Sequence, residues 1–392
     1  MSSALSHLRV LDLTRVRAGP TCCRVLADFG ADVVKVEAPV GVDPNANMSG
    51  ARHGYDMLNL HRNKRSLTLN LKTPEGHAVF MRLVRDADVV VENFRPDVKD
   101  RLKVAYDDLK AVNPRIILAS ISGFGQTGPY SMRAGFDQIA QGMGGLMGVT
   151  GLPGQGPVRA GIAVADSSAG VFAACGILLA LQERETSGEG QWLHTSLLEA
   201  MISMMDFQAA RYLIDGEEPA QAGNDHPYVT PMGVVQTADG HINIAVGGEN
   251  QWRPFCEAID RPALADDPRF RTQPDRFANR PALNALLQEI FTARNSAEWL
   301  ALLDRHGVPC GPINGLADVF ADEQVRHLNI AVPLEHPARG PIRVVGQPIT
   351  MTRTPAVFHS AAPDAGEHSD AILGEAGLSA DEISALRAKG VV

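Results

Sequence analysis

The chain predicts an α/β protein built on a doubly wound parallel sheet, followed by a smaller α/β domain. Three observations carry that expectation. Short runs rich in Val, Ile and Leu alternate with helical patterns through the first half. Those runs are apolar on both faces, as buried parallel strands require. Residues 216–226 then turn polar and Gly/Pro-containing before a second set of strands and helices begins. At 392 residues, 45% of them hydrophobic, the chain is long enough for two domains with cores of their own.

In order, Leu8–Thr14 reads as a strand, Thr21–Phe29 as a helix and Ala31–Glu37 as a strand. Pro74–Arg85 is a helix opened by Thr73-Pro74, a favoured cap and first-turn pair. Asp88–Phe94 and Arg115–Ser122 are strands separated by the helical Ala105–Val112. This alternation predicts a Rossmann-like sheet. The first turn, Thr14-Arg-Val-Arg-Ala-Gly-Pro20, lacks Gly-x-Gly-x-x-Gly, which disfavours a dinucleotide dehydrogenase, although a helix N-terminus still receives an anion without it. An apolar helix runs from Val171 to Leu181, Gln191–Leu197 is a further strand, and Leu198–Tyr212 a helix carrying Met201, Met204 and Met205. Past the linker, Tyr228–Thr237 and His241–Val246 flank a hairpin turn, and Gln251–Ile259, Arg280–Thr292 and Ser296–His306 are helical. Gly340–Thr352 reads as extended and Ser379–Lys389 as helical. The expected division is a large domain over 1–198, helix and linker over 199–226, a small domain over 227–330, and a segment over 331–392 that returns to the large domain.

A net charge of −9 gives no support for nucleic-acid or anionic-membrane partners. The five cysteines follow no regular spacing, which argues against a disulfide framework or a zinc site. No apolar run is read as approaching the ~20 residues that cross a bilayer, and the N-terminus enters a strand pattern without a signal-peptide form. The expectation is a cytoplasmic enzyme with no metal and no resident cofactor.

Asp166 is the most informative residue. It stands in Gly161-Ile-Ala-Val-Ala-Asp166-Ser-Ser-Ala-Gly170, directly before an apolar helical run and among small neighbours that let a ligand approach closely. A helix N-terminus favours the ionised carboxylate. An ordinary N-cap is the alternative.

The surrounding motifs resemble class III coenzyme A transferases, the family of formyl-CoA transferase and carnitine-CoA transferase. They run almost end to end: Leu8-Arg-Val-Leu-Asp-Leu-Thr14, Ala18-Gly-Pro20, Leu26-Ala-Asp-Phe-Gly-Ala-Asp-Val-Val-Lys-Val-Glu37, Asn63-Lys-Arg-Ser66, Val91-Glu-Asn-Phe94, Ile121-Ser-Gly-Phe-Gly125, Gly128-Pro-Tyr130, Asp267-Pro-Arg-Phe270 and Gly374-Glu-Ala-Gly-Leu378. The resemblance implies that Asp166 is a nucleophile forming an aspartyl anhydride and then an aspartyl-CoA thioester. It places Arg17 and Ala18 at the CoA thiol end, Lys64 and Arg65 near its phosphates, and Asn93 with Phe94, Arg101 and Leu102 around the adenine, a core aromatic at a strand end being the alternative for Phe94. Ala38 stands where several relatives carry an arginine, so one phosphate contact must come from elsewhere. Gly247 and Gly248 match a loop that closes over the active site, where backbone N–H groups are candidates to stabilise an oxyanion, with a plain strand-to-helix turn as the alternative. The segment Asn47–Tyr55 and Tyr130 match the acyl pocket. Arg52 and His53 are candidates for a distal carboxylate of a short dicarboxylic acid, with surface charge as the alternative; Tyr55 and Tyr130 line the same place. The resemblance also implies an interlocked, ring-like homodimer. The alternative function is an α-methylacyl-CoA racemase. Those enzymes carry a proton-moving His in Gly-His-Asp, where this chain has Gly135-Phe136-Asp137.

Overall fold

A computed structural model describes residues 3–44, 48 and 50–392. Among these, six strands form one parallel sheet: β1 (Arg9–Asp12), β2 (Asp32–Glu37), β3 (Lys64–Thr68), β4 (Val89–Glu92), β5 (Ile117–Ser122) and β6 (Trp192–Ser196). Their order, β3-β2-β1-β4-β5-β6, is that of a doubly wound sheet whose direction of growth reverses beside β1. The carboxyl ends of β1 and β4 therefore border the crevice where such sheets bind ligands.

Alternation along each strand feeds two cores. Val10, Val89, Val91 and Ile117 face helices α1 (Ala18–Asp28) and the long helix over Val164–Ser187. Leu11, Val34, Val90 and Leu118 face the other way, toward α2 (Pro74–Arg85) and the C-terminal Ile372, Leu373 and Ile383. β4 and β5 are buried at every position, which is why both read as continuous apolar runs. β3 went unread because it begins with Lys64 and Arg65.

Helix α3 spans Asp137–Met143, and α4 is the Val164–Ser187 helix. A Cβ at Gly170 of α4 would lie 2.4 Å from the Ala18 carbonyl oxygen and 2.8 Å from Thr21 Cβ, so only glycine lets α1 and α4 touch there. One expectation is corrected. α4 is by length and composition apolar enough to cross a membrane, because its Ala and Gly residues extend the run beyond Val171–Leu181. Its Ala165, Ala169, Ala173 and Ile177 are buried in the core against α1. A second correction concerns the single helix over Leu198–Tyr212. It is two, Leu197–Met204 and Asp206–Asp215, broken where Asp206 adopts φ 43°.

Two compact units divide the chain: residues up to 146 with 159–217 and 326–392, and residues 147–158 with 218–325. The second holds an antiparallel sheet of β7 (Met232–Gln236), β8 (His241–Ala245) and β9 (Cys310–Pro312), packed through Ile242 and Ile244 on Phe255, Phe291 and Trp299.

Candidate active site

The site is built at the N-terminus of α4. The residue at its N-cap position, Ala163, offers no side-chain bond, and the helix is capped from outside. Oδ1 of Asp137, in the first turn of α3, accepts the N–H of Ala165 at 2.8 Å and that of Asp166 at 3.3 Å. Its Oδ2 accepts Gln141 Nε2 at 2.6 Å, and Gln141 in turn binds the Ile162 carbonyl and the Ala160 N–H. The carboxylate of Asp166 is thus not the cap. It lines a pocket of about 210 Å³ with Arg17, Ala18, Asn93, Phe94 and Phe136.

Local chemistry holds these residues there. Val16 sits at φ 65°, a costly conformation for a β-branched residue. Asn93 secures the turn on both sides, accepting the Arg15 N–H at 3.0 Å and donating to the Arg15 carbonyl at 2.7 Å. That leaves Arg17 at the head of α1, its guanidinium 2.6 Å from Asp56. Burial pushes the Asp166 carboxyl up, the Asp137 charge adds to this and Arg17 opposes it; the outcome is about 6. That lies above the ordinary carboxylate value near 3.9 and runs against the expectation that the helix N-terminus favours the anion. The helix N-terminus that should favour the anion is already occupied by Asp137.

A larger cavity of about 930 Å³ shares Arg15 and Phe94 with this pocket and reaches Arg101, Leu102, Lys72 and Arg52. Such a volume suits an extended small molecule. Arg52 lies in this larger space, bound to both oxygens of Glu37 at 2.8 and 2.9 Å. Burial alone would raise the Glu37 carboxyl, but Lys35 and Arg52 outweigh it and hold it low.

Other predicted residues lie elsewhere. Lys64 is wholly buried with its ammonium 2.8 Å from Asp12, and Arg65 is tied to Asp32 and Glu375; neither lines either of these two cavities. Both charges are consumed in holding β3 to the fold. His53 contacts His336 and Asp364. Tyr55 is 83% exposed. Tyr130 packs edge-on to Phe124, beside the pocket rather than in its lining. Asn47, with the neighbouring 45–46 and Ser49, lies outside the described residues, and Met48 lines the pocket. In the second unit, the N–H groups of Gly247 and Gly248 are both taken by Gln251 Oε1, at 2.8 and 3.1 Å, and Gly248 caps the helix Glu249–Ala258.

Sequence reasoning missed Asp137 and Arg133. Asp137 was read only as the residue after Phe136, although an acid opening a helix is a recognisable signal. Arg133, in the turn after Tyr130, lines the Asp166 pocket. Phe136 also lines it, so the pocket that holds Asp166 presents a phenyl ring at that position.

Comparison with known proteins agrees with this architecture. A model of CoA-transferase family III matches residues 5–369. Succinate–glutarate CoA-transferase of Agrobacterium fabrum is 41% identical over 384 residues, 95% of each chain. Succinyl-CoA:mesaconate CoA-transferase of Haloarcula marismortui is 39% identical over 386 residues, 96% of this chain and 97% of its own. The crystal structure of a CAIB/BAIF family protein from Brucella suis superposes with a TM-score of 0.83 at 38% identity, over 96% of this chain and all of that one.

Proposed function

The chain belongs to CoA-transferase family III, and from that premise we propose that it moves coenzyme A between short dicarboxylic acids with Asp166 as nucleophile. The observation that carries this reading is the Asp166 carboxylate itself: it faces a pocket, caps nothing, and adjoins a cavity large enough for the nucleotide. Relatives named for succinate, glutarate and mesaconate supply the acyl class.

The chemistry needs no general base. With its carboxyl at about 6, Asp166 is ionised roughly ten to one at pH 7. It attacks the donor thioester carbonyl, and CoA leaves as thiolate from a mixed anhydride. The thiolate attacks the aspartyl carbonyl, expelling the donor as a free carboxylate and leaving an aspartyl-CoA thioester. An acceptor carboxylate attacks that thioester, forming a second anhydride and releasing thiolate, which takes the acceptor acyl group and restores Asp166. Splitting one exchange into four acyl transfers is the advantage of covalent catalysis. Destabilisation of the anion by burial and by Asp137 makes the carboxylate a better nucleophile than one in water. Phe94, between the two spaces, and Arg101 with Leu102 are assigned to the nucleotide; base–aromatic stacking is worth ~1–3 kcal/mol. Lys72, on the wall of the larger cavity, is assigned the phosphate contact absent at Ala38.

A homodimer completes the proposal. Val171, Phe172, Leu178 and Leu179 of α4 are 40–72% exposed, and an apolar face of that kind marks a protein interface. A cytoplasmic, reducing setting agrees with five unpaired cysteines.

The test is direct. The protein is incubated with succinyl-CoA, quenched in acid and digested, and the Asp166 peptide is weighed. A CoA adduct on Asp166 is expected; its absence with every short dicarboxyl-CoA, together with deuterium exchange at the α-carbon of a branched acyl-CoA, sinks the transferase reading.

A further inference from the structure

The pocket that holds Asp166 is the space open to the second carboxylate of a short dicarboxylate acyl group held there by its thioester end. A charge withdrawn from water is costly unless a cation meets it. Four arginines line this pocket: Arg15, Arg17, Arg95 and Arg133. Three are engaged, Arg15 with Asp43 at 2.8 Å, Arg17 with Asp56 at 2.6 Å and Arg95 with Asp97 at 3.2 Å. Arg52, the sequence candidate for this task, is saturated by Glu37 in the larger cavity. Among the described residues, no carboxylate pairs with Arg133.

Arg133 is nonetheless held in place. Its guanidinium lies 4.5 Å from the Tyr130 ring centre and 5.6 Å from that of Phe124. Its own N–H closes a turn onto the Tyr130 carbonyl at 2.9 Å. The loop bearing Phe124 is pressed against the segment after Arg133: a Cβ on Gly123 or on Gly135 would fall 2.6–2.7 Å from the other's Cα. A planar guanidinium whose faces rest on rings keeps its edge N–H groups for a carboxylate, which it takes bidentately.

From this geometry we infer that Arg133 receives the distal carboxylate of the acyl substrate and sets the preference for dicarboxylates over monocarboxylates. The inference rests on the Asp166 transferase reading. It moves substrate selection from Arg52 and His53 to the turn between Tyr130 and Phe136, where Tyr130 serves as a rest for the arginine.

Succinyl-CoA and butyryl-CoA have acyl chains of equal length and differ in the terminal carboxylate, so the pair isolates the contact. The rate of Asp166–CoA adduct formation is measured with each donor for the wild type, Arg133→Gln and Arg133→Lys, with CoA affinity followed by equilibrium dialysis. Wild type should prefer succinyl-CoA. Arg133→Gln should lose about 10²-fold in kcat/KM for succinyl-CoA, since a site built for a charged partner is left without it, while butyryl-CoA changes by less than about threefold. Arg133→Lys keeps the charge but not the fork and should fall between. Equal losses with both donors in both variants, or an unchanged succinyl-CoA rate, overturn the inference and leave the transferase reading intact. A wild type that forms no adduct with either donor overturns that reading, and the inference with it.

Discussion

Asp12, at the end of β1, and Asp166, in the first turn of α4, are both withdrawn from water, and they answer in opposite directions. Asp12 accepts the Lys64 ammonium at 2.8 Å and the Thr14 N–H and hydroxyl at 2.9 and 2.6 Å. Burial would raise it, but Lys64 and Lys35 outweigh that and hold it below the ordinary carboxylate value. Asp166 meets another carboxylate, Asp137, and a cation already shared with Asp56, and is pushed up to about 6. The contrast separates a strut from a reactive group. Where the fold answers a charge completely, the charge stabilises; where it withholds the answer, a ligand supplies it.

The largest effect that sharpens this contrast is on turnover. Asp166→Ala should reduce transfer by at least about 10⁴-fold while CoA binding persists, because the nucleophile is removed and the nucleotide cavity is not. Measuring both on one preparation decides it; residual turnover near wild type would return Asp166 to a structural role.

Next comes stability. Lys64→Met strands the Asp12 carboxylate in the core and should cost about 3–5 kcal/mol in denaturant unfolding. Asp166→Asn should do the reverse, adding on the order of 2 kcal/mol at pH 7. The signs differ with pH as well. A depressed carboxyl such as Asp12 stabilises above its unfolded value, and that contribution is lost as pH falls through the folded value. A raised carboxyl such as Asp166 binds protons more tightly when folded, so it costs stability as pH climbs from about 4 to about 6. The Asp166→Asn gain should therefore vanish at pH 4. Unfolding curves at pH 4 and pH 7 check both; a gain of equal size at the two values would mean that charge is not the cause.

The same distinction explains what was legible in sequence. β4 and β5 declare themselves because Val89–Val91 and Ile117–Ile121 bury both faces. β3 does not, since its Lys64 and Arg65 are paid off by acids on β1 and β2, a pairing that exists only in three dimensions. The resemblance places the same two residues near the CoA phosphates, and each is already engaged by acids of the chain, a partnership that the sequence does not display. Asp166 was visible through its small neighbours and the helix behind it, whereas Asp137 lies 29 positions upstream and joins it only through the packing of α3 on α4. Arg133 carried no local mark; its availability follows from which other arginines are already paired.

Asp137 gives the smallest and most discriminating effect. Its Oδ1 caps the Ala165 and Asp166 N–H groups, and its charge raises the Asp166 carboxyl. Asparagine retains an acceptor oxygen for the cap and deletes the charge; alanine deletes both. Arg17, already shared with Asp56, faces the site as well, and Arg159 has its guanidinium 3.9 Å from Asp137, while Arg15, Arg95 and Arg133 line the same pocket. With the negative neighbour gone, Asp166 should ionise more easily, so the acid limb of kcat/KM should move to lower pH in Asp137→Asn while the rate at pH 7, where Asp166 is already mostly ionised, changes little. Asp137→Ala should show the same displacement plus a loss of about 0.5–2 kcal/mol in stability from the vacant cap. A pH profile for Asp137→Asn that overlays the wild type would mean that burial alone raises Asp166 and that Asp137 serves only to cap the helix.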